Sequence, residues 1–158
     1  MAIKPTVYIE TTFVSYLTAW SSRDLVRAAQ QRSTQEWWET QRDHFELLTS
    51  ELVVLEASAG DAAADDRLKA IAGLPVLKVD ERATDIAAAL LTAGAVPQVA
   101  ARDALHVGLC AANGIDYLLT WNFRHLANAA LRDKITEVCM LLSYRSAVIC
   151  TPDELSED

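Results

Sequence analysis

Acidic and amide side chains directly follow two apolar runs of the chain. Glu10 comes after the run that ends at Ile9, and Asn122 follows Thr120 and Trp121 shortly after Leu119. The carboxyl ends of parallel strands meet at one edge of a sheet, where ligands bind. We therefore expect Glu10 and Asn122 to be neighbours if their strands flank the switch point. The alternative for Glu10 is a charge that interacts with the dipole at the start of a helix.

Two further acids lie in apolar helical segments. Glu56 belongs to the run LVVLEA, and an unpaired buried carboxylate is costly, so such a group is usually paired, bound to metal or directed at a wet cleft. The alternative places Glu56 on the solvent face. Asp103 lies close to the start of a helix of small and apolar residues, where its charge would also suit the helix dipole or an ion pair with Arg102. His106 shares the face of Asp103, in a position more typical of a core or interface histidine than of a ligand.

These oxygen-bearing side chains have a common chemical preference. Mg²⁺ and Mn²⁺ favour oxygen ligands, activate water and neutralise the charge of a phosphodiester. We therefore predict that Glu10, Glu56, Asp103 and Asn122 together supply an all-oxygen metal site at one edge of the sheet. The acidity of this site would not prevent it from binding a polyanion, because the metal reverses the local charge.

Short β-type runs that alternate with helical stretches position these residues. This alternation predicts a single α/β domain over residues 1–158 with a mostly parallel sheet. The predicted strands are 6–9, 45–49, 75–79, 116–120 and 147–151. The predicted helices are 12–18, 22–43, 51–59, 62–72, 80–93, 99–113 and 123–143, the last with a possible break near Asn128, and a short helix begins at Pro152.

Composition narrows the class of protein. Of the 158 residues 51% are hydrophobic, which argues against intrinsic disorder. A net charge of −8 argues against broad electrostatic adhesion to nucleic acid. The start of the chain has no signal-like pattern and no apolar run spans a membrane, so we expect a cytoplasmic protein. The three cysteines, Cys110, Cys139 and Cys150, are far apart and are expected to be buried small hydrophobes.

At these residues the sequence resembles the PIN-domain family, and most closely the VapC-like toxins of type II toxin–antitoxin systems. The resemblance covers almost the whole chain. It rests on YIETT at 8–12 with SYL at 15–17, TSELVVLE at 49–56, ARDALH at 101–106, GIDYLLTWN at 114–122 and TPDEL at 151–155. The third and fourth of these segments are the most specific.

The resemblance implies a three-layer α/β/α fold with a parallel five-stranded sheet of order 3-2-1-4-5. It also implies a metal-dependent ribonuclease that uses Mg²⁺ or Mn²⁺. Glu10, Glu56 and Asp103 match the first three acids of the family, and Asn122 stands where many members have a fourth. Thr120 matches the accompanying hydroxyl. In the same way Thr11 matches the small hydroxyl residue that follows the first acid.

Two departures distinguish this chain from the family pattern. The first acid is usually Asp, and Glu10 is one methylene longer; Asn122 has a carbonyl oxygen but no charge. Our hypothesis is that Glu10, Glu56 and Asp103 hold the metal whose water attacks RNA, while Asn122 orients a metal-bound water. One alternative is a PIN-fold binding module that no longer cleaves. The other is a phospho-acceptor receiver domain with Asp80 as acceptor, although no Lys follows the fifth strand.

The partners implied are RNA, a cognate antitoxin and a second copy of the chain in a homodimer. Arg102 and Arg124, which flank the predicted site, are candidates for phosphate contacts. Trp37 and Trp38 are candidates for base stacking or for an antitoxin groove, although aromatic residues at helical spacing are more often core. Four further arginines lie in the long helical region and are as easily explained as solvated charges: Arg23, Arg27, Arg32 and Arg42.

Overall fold

The computed structural model describes residues 3–157, and its elements alternate between strands and helices. The strands are β1 (Thr6–Ile9), β2 (Glu46–Ser50), β3 (Val76–Leu77), β4 (Tyr117–Leu119) and β5 (Val148–Cys150). The helices are α1 (Thr11–Thr18), α2 (Leu25–Thr40), α3 (Glu51–Ala57), α4 (Ala64–Ile71), α5 (Glu81–Thr92), α6 (Ala101–Ala112) and α7 (Ala129–Leu141). Short 3₁₀ turns occur at Arg42–His44, Gln98–Ala100 and Pro152–Glu154.

The five strands form one parallel sheet with the order β3-β2-β1-β4-β5. The central strand β1 pairs on one side through Val7 with Leu47 and on the other through Val7 with Tyr117. Val7, Tyr8 and Ile9 are fully buried, as expected for a central strand that is covered on both faces. The α/β/α fold and strand order expected from the resemblance are confirmed. This order also excludes the receiver-domain alternative, whose sheet has the order 2-1-3-4-5.

Side-chain caps set helix boundaries that hydrophobic spacing alone placed too widely. The helix expected at 22–43 begins only at Leu25, because the Asp24 side chain accepts a hydrogen bond from the Arg27 N–H. The helical region expected at 123–143 is divided near Asn128, as anticipated. The Asn128 side chain accepts from the Ala130 N–H, and α7 starts there. Residues 123–126 form a turn instead.

Helices α5 and α6 pack with almost no space between their backbones at Gly108. A Cβ on Gly108 would lie 2.4 Å from the Ala83 carbonyl oxygen and 3.4 Å from the Ala87 nitrogen. Only a residue without a side chain fits this crossing. The position of α6, which carries Asp103, is therefore fixed by α5.

The core accounts for most of the aromatic and sulfur-bearing side chains noted above. Trp37 is 3% exposed and its Nε1–H donates to the Leu155 carbonyl oxygen over 2.6 Å, so it is a core residue and cannot stack on a base. All three cysteines are free and buried, as expected. Between residues 3 and 157, none of the helices has the length and apolar character needed to cross a bilayer.

Candidate metal centre

Glu10 follows β1 and caps α1 with its own side chain. Its Oε2 accepts hydrogen bonds from the Thr12 N–H over 3.0 Å, from the Thr12 hydroxyl and from the Thr120 hydroxyl over 2.8 Å. The residue is 3% exposed, and Thr120 is fully buried. The helix-start interpretation of Glu10 is therefore correct, but it describes only one of the two carboxylate oxygens. Oε1 lies 3.9 Å from His106 Nε2, the ring nitrogen that also contacts Glu56.

Glu56 lies on α3 and points into the molecule rather than to the solvent face. Its Oε1 accepts from the Thr11 hydroxyl over 2.6 Å and lies 2.8 Å from His106 Nε2. Since an ionised carboxylate can only accept, Nε2 carries the hydrogen and donates it. The Glu56 side chain is 18% exposed, so it borders a cleft.

His106 is fully buried and belongs to a chain of hydrogen bonds through the core. Its Nδ1 lies 2.6 Å from the Tyr8 hydroxyl, which lies 2.7 Å from the Ser50 hydroxyl. Ser50 in turn caps α3 by accepting from the Val53 N–H. Both ring nitrogens of His106 are thus satisfied. The interpretation of His106 as a core histidine is confirmed, and its contact with Glu56 adds a role in the site.

His106 and the nearby carboxylates stabilise one another's charged forms. Burial alone would lower the pKa of His106, but its hydrogen bond to Glu56 and the nearby carboxylates of Glu10 and Asp103 raise that pKa above its usual value. Burial would raise the pKa of Glu56, but the hydrogen bond and charge of His106, with the Thr11 hydroxyl and Arg102, lower it. Glu56 is therefore held ionised at neutral pH.

Asp103 enters from the first turn of α6. Its Oδ2 lies 3.0 Å from Nδ1 of His125, a residue of the turn that follows β4. Both side chains are almost equally shielded, at 18% and 19% exposure. His125 was missed by the sequence analysis, because nothing in its spacing indicates that the turn returns it to α6.

Asn122 lies at the start of the same turn. Its Oδ1 accepts from the His125 N–H over 3.0 Å, and its backbone carbonyl accepts from the N–H groups of Leu126 and Ala127. The side-chain oxygen expected to face the site thus has a partner within the turn. Glu10 and Asn122 do follow adjacent strands, β1 and β4, at the same edge of the sheet.

The three carboxylates share one pattern. Each has one oxygen bonded to donors of this chain, namely Oε2 of Glu10, Oε1 of Glu56 and Oδ2 of Asp103. Their second oxygens make no hydrogen bond to any residue in the range 3–157. One ligand atom each of Glu10, Glu56 and His106 lies within 4.8 Å of the others, a separation suited to a metal ion, while Asp103 is outside that group.

A surface cleft opens beside these acids. It has a volume of ≈ 450 Å³ and is lined by Glu56, Arg102 and Asp103 together with Val99, Ala100 and Ala101. Arg102 is exposed there, and Arg124 is exposed on the turn after β4. Neither guanidinium forms an ion pair with a carboxylate of the described chain. The cleft can therefore present the carboxylates of Glu56 and Asp103 and the guanidinium of Arg102 to one ligand.

The fold is shared with two solved structures. One is VapC20 from Mycobacterium tuberculosis, described as a sarcin-ricin loop cleaving toxin; the likeness has a TM-score of 0.58 and 16% identity and covers 75% of this chain and 92% of that one. The other is a chain of VapBC2 from Rickettsia felis, bound to a DNA fragment from its promoter, with a TM-score of 0.57, 12% identity and coverage of 92% and 98%. The sequence itself matches no protein-family model and no curated protein. These likenesses confirm the PIN-like α/β/α fold expected from the resemblance.

Proposed function

We propose that this protein is a metal-dependent endoribonuclease that hydrolyses RNA phosphodiester bonds and acts as the toxin of a toxin–antitoxin pair. The observation that carries the proposal is the set of carboxylates at the carboxyl edge of the sheet. Glu10, Glu56 and Asp103 each keep one oxygen that accepts no hydrogen bond from residues 3–157. The fold that the chain shares with the toxin VapC20 and with VapBC2 also supports the proposal.

The donor set fits a hard divalent cation, Mg²⁺ or Mn²⁺. Glu10, Glu56 and Asp103 would hold the ion through the carboxylate oxygens that make no hydrogen bond within residues 3–157, because oxygens are the ligands that such ions prefer. When bound, the metal would lower the pKa of water and neutralise charge on the phosphodiester. His106 and Thr11 would keep Glu56 ionised and oriented, since both donate to its Oε1.

The remaining site residues would bind the RNA. Arg102 and Arg124 would contact phosphates on either side of the scissile bond, because both are exposed and unpaired within the described chain. Thr120 would act by holding Glu10, as its hydroxyl donates to that carboxylate. Thr11 would act in the same way on Glu56.

Cleavage of an RNA panel with and without EDTA tests the activity. We expect cleavage in Mg²⁺ or Mn²⁺, loss of cleavage in EDTA, and loss in Asp103→Asn and Glu56→Gln. Asp85→Asn is the matched control, because Asp85 is an exposed acid of α5. Equal cleavage by Asp103→Asn and the wild type would rule the proposal out. Metal binding without any cleavage would instead favour the PIN-fold binding module.

A cognate antitoxin is the protein partner that this function requires. One of the similar structures is a VapBC2 complex. Because Trp37 is buried, a partner at this end of the molecule would meet Trp20, Leu25 and Val26, which are 96%, 86% and 68% exposed. Co-purification with the product of an adjacent small gene would support the pair, and no complex on co-expression would count against it.

The homodimer and cytoplasmic action also stay predictions. Sedimentation velocity tests whether the protein is a homodimer.

A further inference from the structure

Asn122 accepts hydrogen bonds from within the turn that follows β4. Asn122 Oδ1 accepts the His125 N–H over 3.0 Å, and its backbone carbonyl accepts the Ala127 N–H over 2.7 Å. An amide oxygen that closes a turn in this way fixes the backbone two to three residues further on. The side chain that this turn presents to the acids is that of His125.

The His125 ring reaches Asp103 directly. Nδ1 lies 3.0 Å from Oδ2, and an ionised carboxylate has no hydrogen to give, so Nδ1–H is the donor. This bond joins residues 22 positions apart, from the turn after β4 to the first turn of α6. Asp103 is thereby held through one oxygen, in the same manner as Glu56 is held by His106.

We propose that His125 is a positioning residue that orients Asp103 for the metal, and that Asn122 acts by holding the turn that carries His125. This inference rests on the proposed function. It explains how the site keeps its order with an uncharged residue in place of the fourth acid. Groups that orient a metal ligand in this way commonly change metal affinity by about 10- to 100-fold when they are removed.

The test measures Mn²⁺ binding to the full chain by titration calorimetry. His125→Leu removes the donor at similar volume, and we expect it to weaken Mn²⁺ binding by about 10- to 100-fold. His125→Asn keeps an N–H near the place of Nδ1, and we expect it to restore most of the affinity. His44→Leu is the matched control, because His44 is exposed and lies on the 3₁₀ turn before β2.

Wild-type affinity in His125→Leu would overturn the inference and leave the proposed function intact. A wild-type protein that neither binds Mn²⁺ nor cleaves RNA would overturn the proposed function and the inference with it. Should His125→Leu fail to fold, nitrogen NMR of the wild type without metal decides instead. We expect a His125 ring that carries hydrogen on Nδ1, and a bare Nδ1 would contradict the proposal.

Discussion

The two carboxylate oxygens of Glu10 have different contacts, and the length of the side chain allows both sets of contacts. Oε2 reaches back to cap α1, where it accepts from Thr12, while Oε1 stays 3.9 Å from His106 Nε2. A free carboxylate beside a helix start is favoured by the helix dipole. The unusual acid at this position is therefore compatible with a metal site, because capping consumes only one of its oxygens.

The hydrogen-bond chain from Ser50 to Glu56 predicts how removal of a single hydroxyl group, that of Tyr8, changes stability. Tyr8→Phe removes the partner of His106 Nδ1 inside the core. Since a buried polar atom would lose its partner, we expect the free energy of unfolding to fall by about 1–3 kcal/mol. Urea denaturation measures this change.

Tyr144→Phe is the control for this measurement. Tyr144 is half-buried, and its hydroxyl makes no hydrogen bond to the residues that the structure describes. We expect a change well below that of Tyr8→Phe. Equal effects of the two substitutions would mean that the core chain adds nothing specific to stability.

Helix α6 and its neighbour α5 determine where Asp103 and His106 lie. Gly108→Ala would place a Cβ 2.4 Å from the Ala83 oxygen and force the two helices apart. Overpacking costs about 1–3 kcal/mol or more, which outweighs the gain of about 0.5–1 kcal/mol from Ala in a helix. We expect a net loss of stability, measured by thermal and urea unfolding, together with weaker Mn²⁺ binding.

Gly73→Ala provides the comparison for the Gly108 substitution. A Cβ on Gly73 would meet no atom within 4 Å, and its backbone is not in the left-handed region. We expect this substitution to be neutral or slightly stabilising. A stable Gly108→Ala protein with unchanged metal affinity would show that α6 can shift without disturbing the acids.

Strands β1 and β4 are joined at their starts by Asp116. Its carboxylate accepts from the Thr6 N–H over 2.9 Å and the Thr6 hydroxyl, and pairs with Arg145 at 3.0 Å. The Thr6 backbone hydrogen bond, followed by the Arg145 contact, lowers the pKa of Asp116 below its ordinary value of 3.8. The stabilisation is therefore complete above that value and is lost as the pH falls through the lower folded-state pKa.

Asp116→Asn should remove this pH dependence. We expect the variant to be less stable than the wild type at pH 7, and the difference to shrink as the pH falls from about 5 to below the ordinary pKa of 3.8. Urea unfolding across this range measures it, with Asp85→Asn as an exposed acid that should keep the wild-type slope. A difference that stays constant with pH would contradict the role of Asp116.

The strands and most of the helices could be predicted from the sequence. The spacing of apolar residues and the presence of capping residues such as Ser50 are local signals, which do not depend on the rest of the fold. The strand order was confirmed, but it came from a resemblance and not from spacing. The contacts of His125 and His106 could not be predicted, because both depend on where long-range packing brings a turn or helix face. Spacing placed His106 beside Asp103, whereas the structure joins it to Glu56, 50 positions away.

The net charge of −8 belongs to the whole molecule and would limit how the proposed RNA substrate is held. If Arg102 and Arg124 make the phosphate contacts, log K should fall with log salt with a slope of about −1.4, at about 0.7 per contact for single strands. Fluorescence anisotropy with labelled RNA measures the slope in a cleavage-deficient Asp103→Asn protein. Arg102→Gln should reduce it by about 0.7.

A much steeper dependence of RNA binding on salt would contradict the expectation of only two phosphate contacts. It would require many more phosphate contacts than Arg102 and Arg124 can provide. Arg23→Gln is the control, because Arg23 is exposed but lies before α2, away from the residues that line the cleft. The slope of log K against log salt for Arg23→Gln should equal the slope measured with all arginines present.

The buried chain through Tyr8, His106 and Glu56 also governs which mutations a lineage carrying this gene can tolerate. Tyr8 and His106 are fully buried, so changes there would damage both the fold and the proposed metal site. Changes at Asp103 or Arg102, which border the cleft, would remove the proposed activity and leave a folded protein. If the protein is a toxin, selection for an inactive but folded protein would therefore favour substitutions at the cleft over substitutions in the interior.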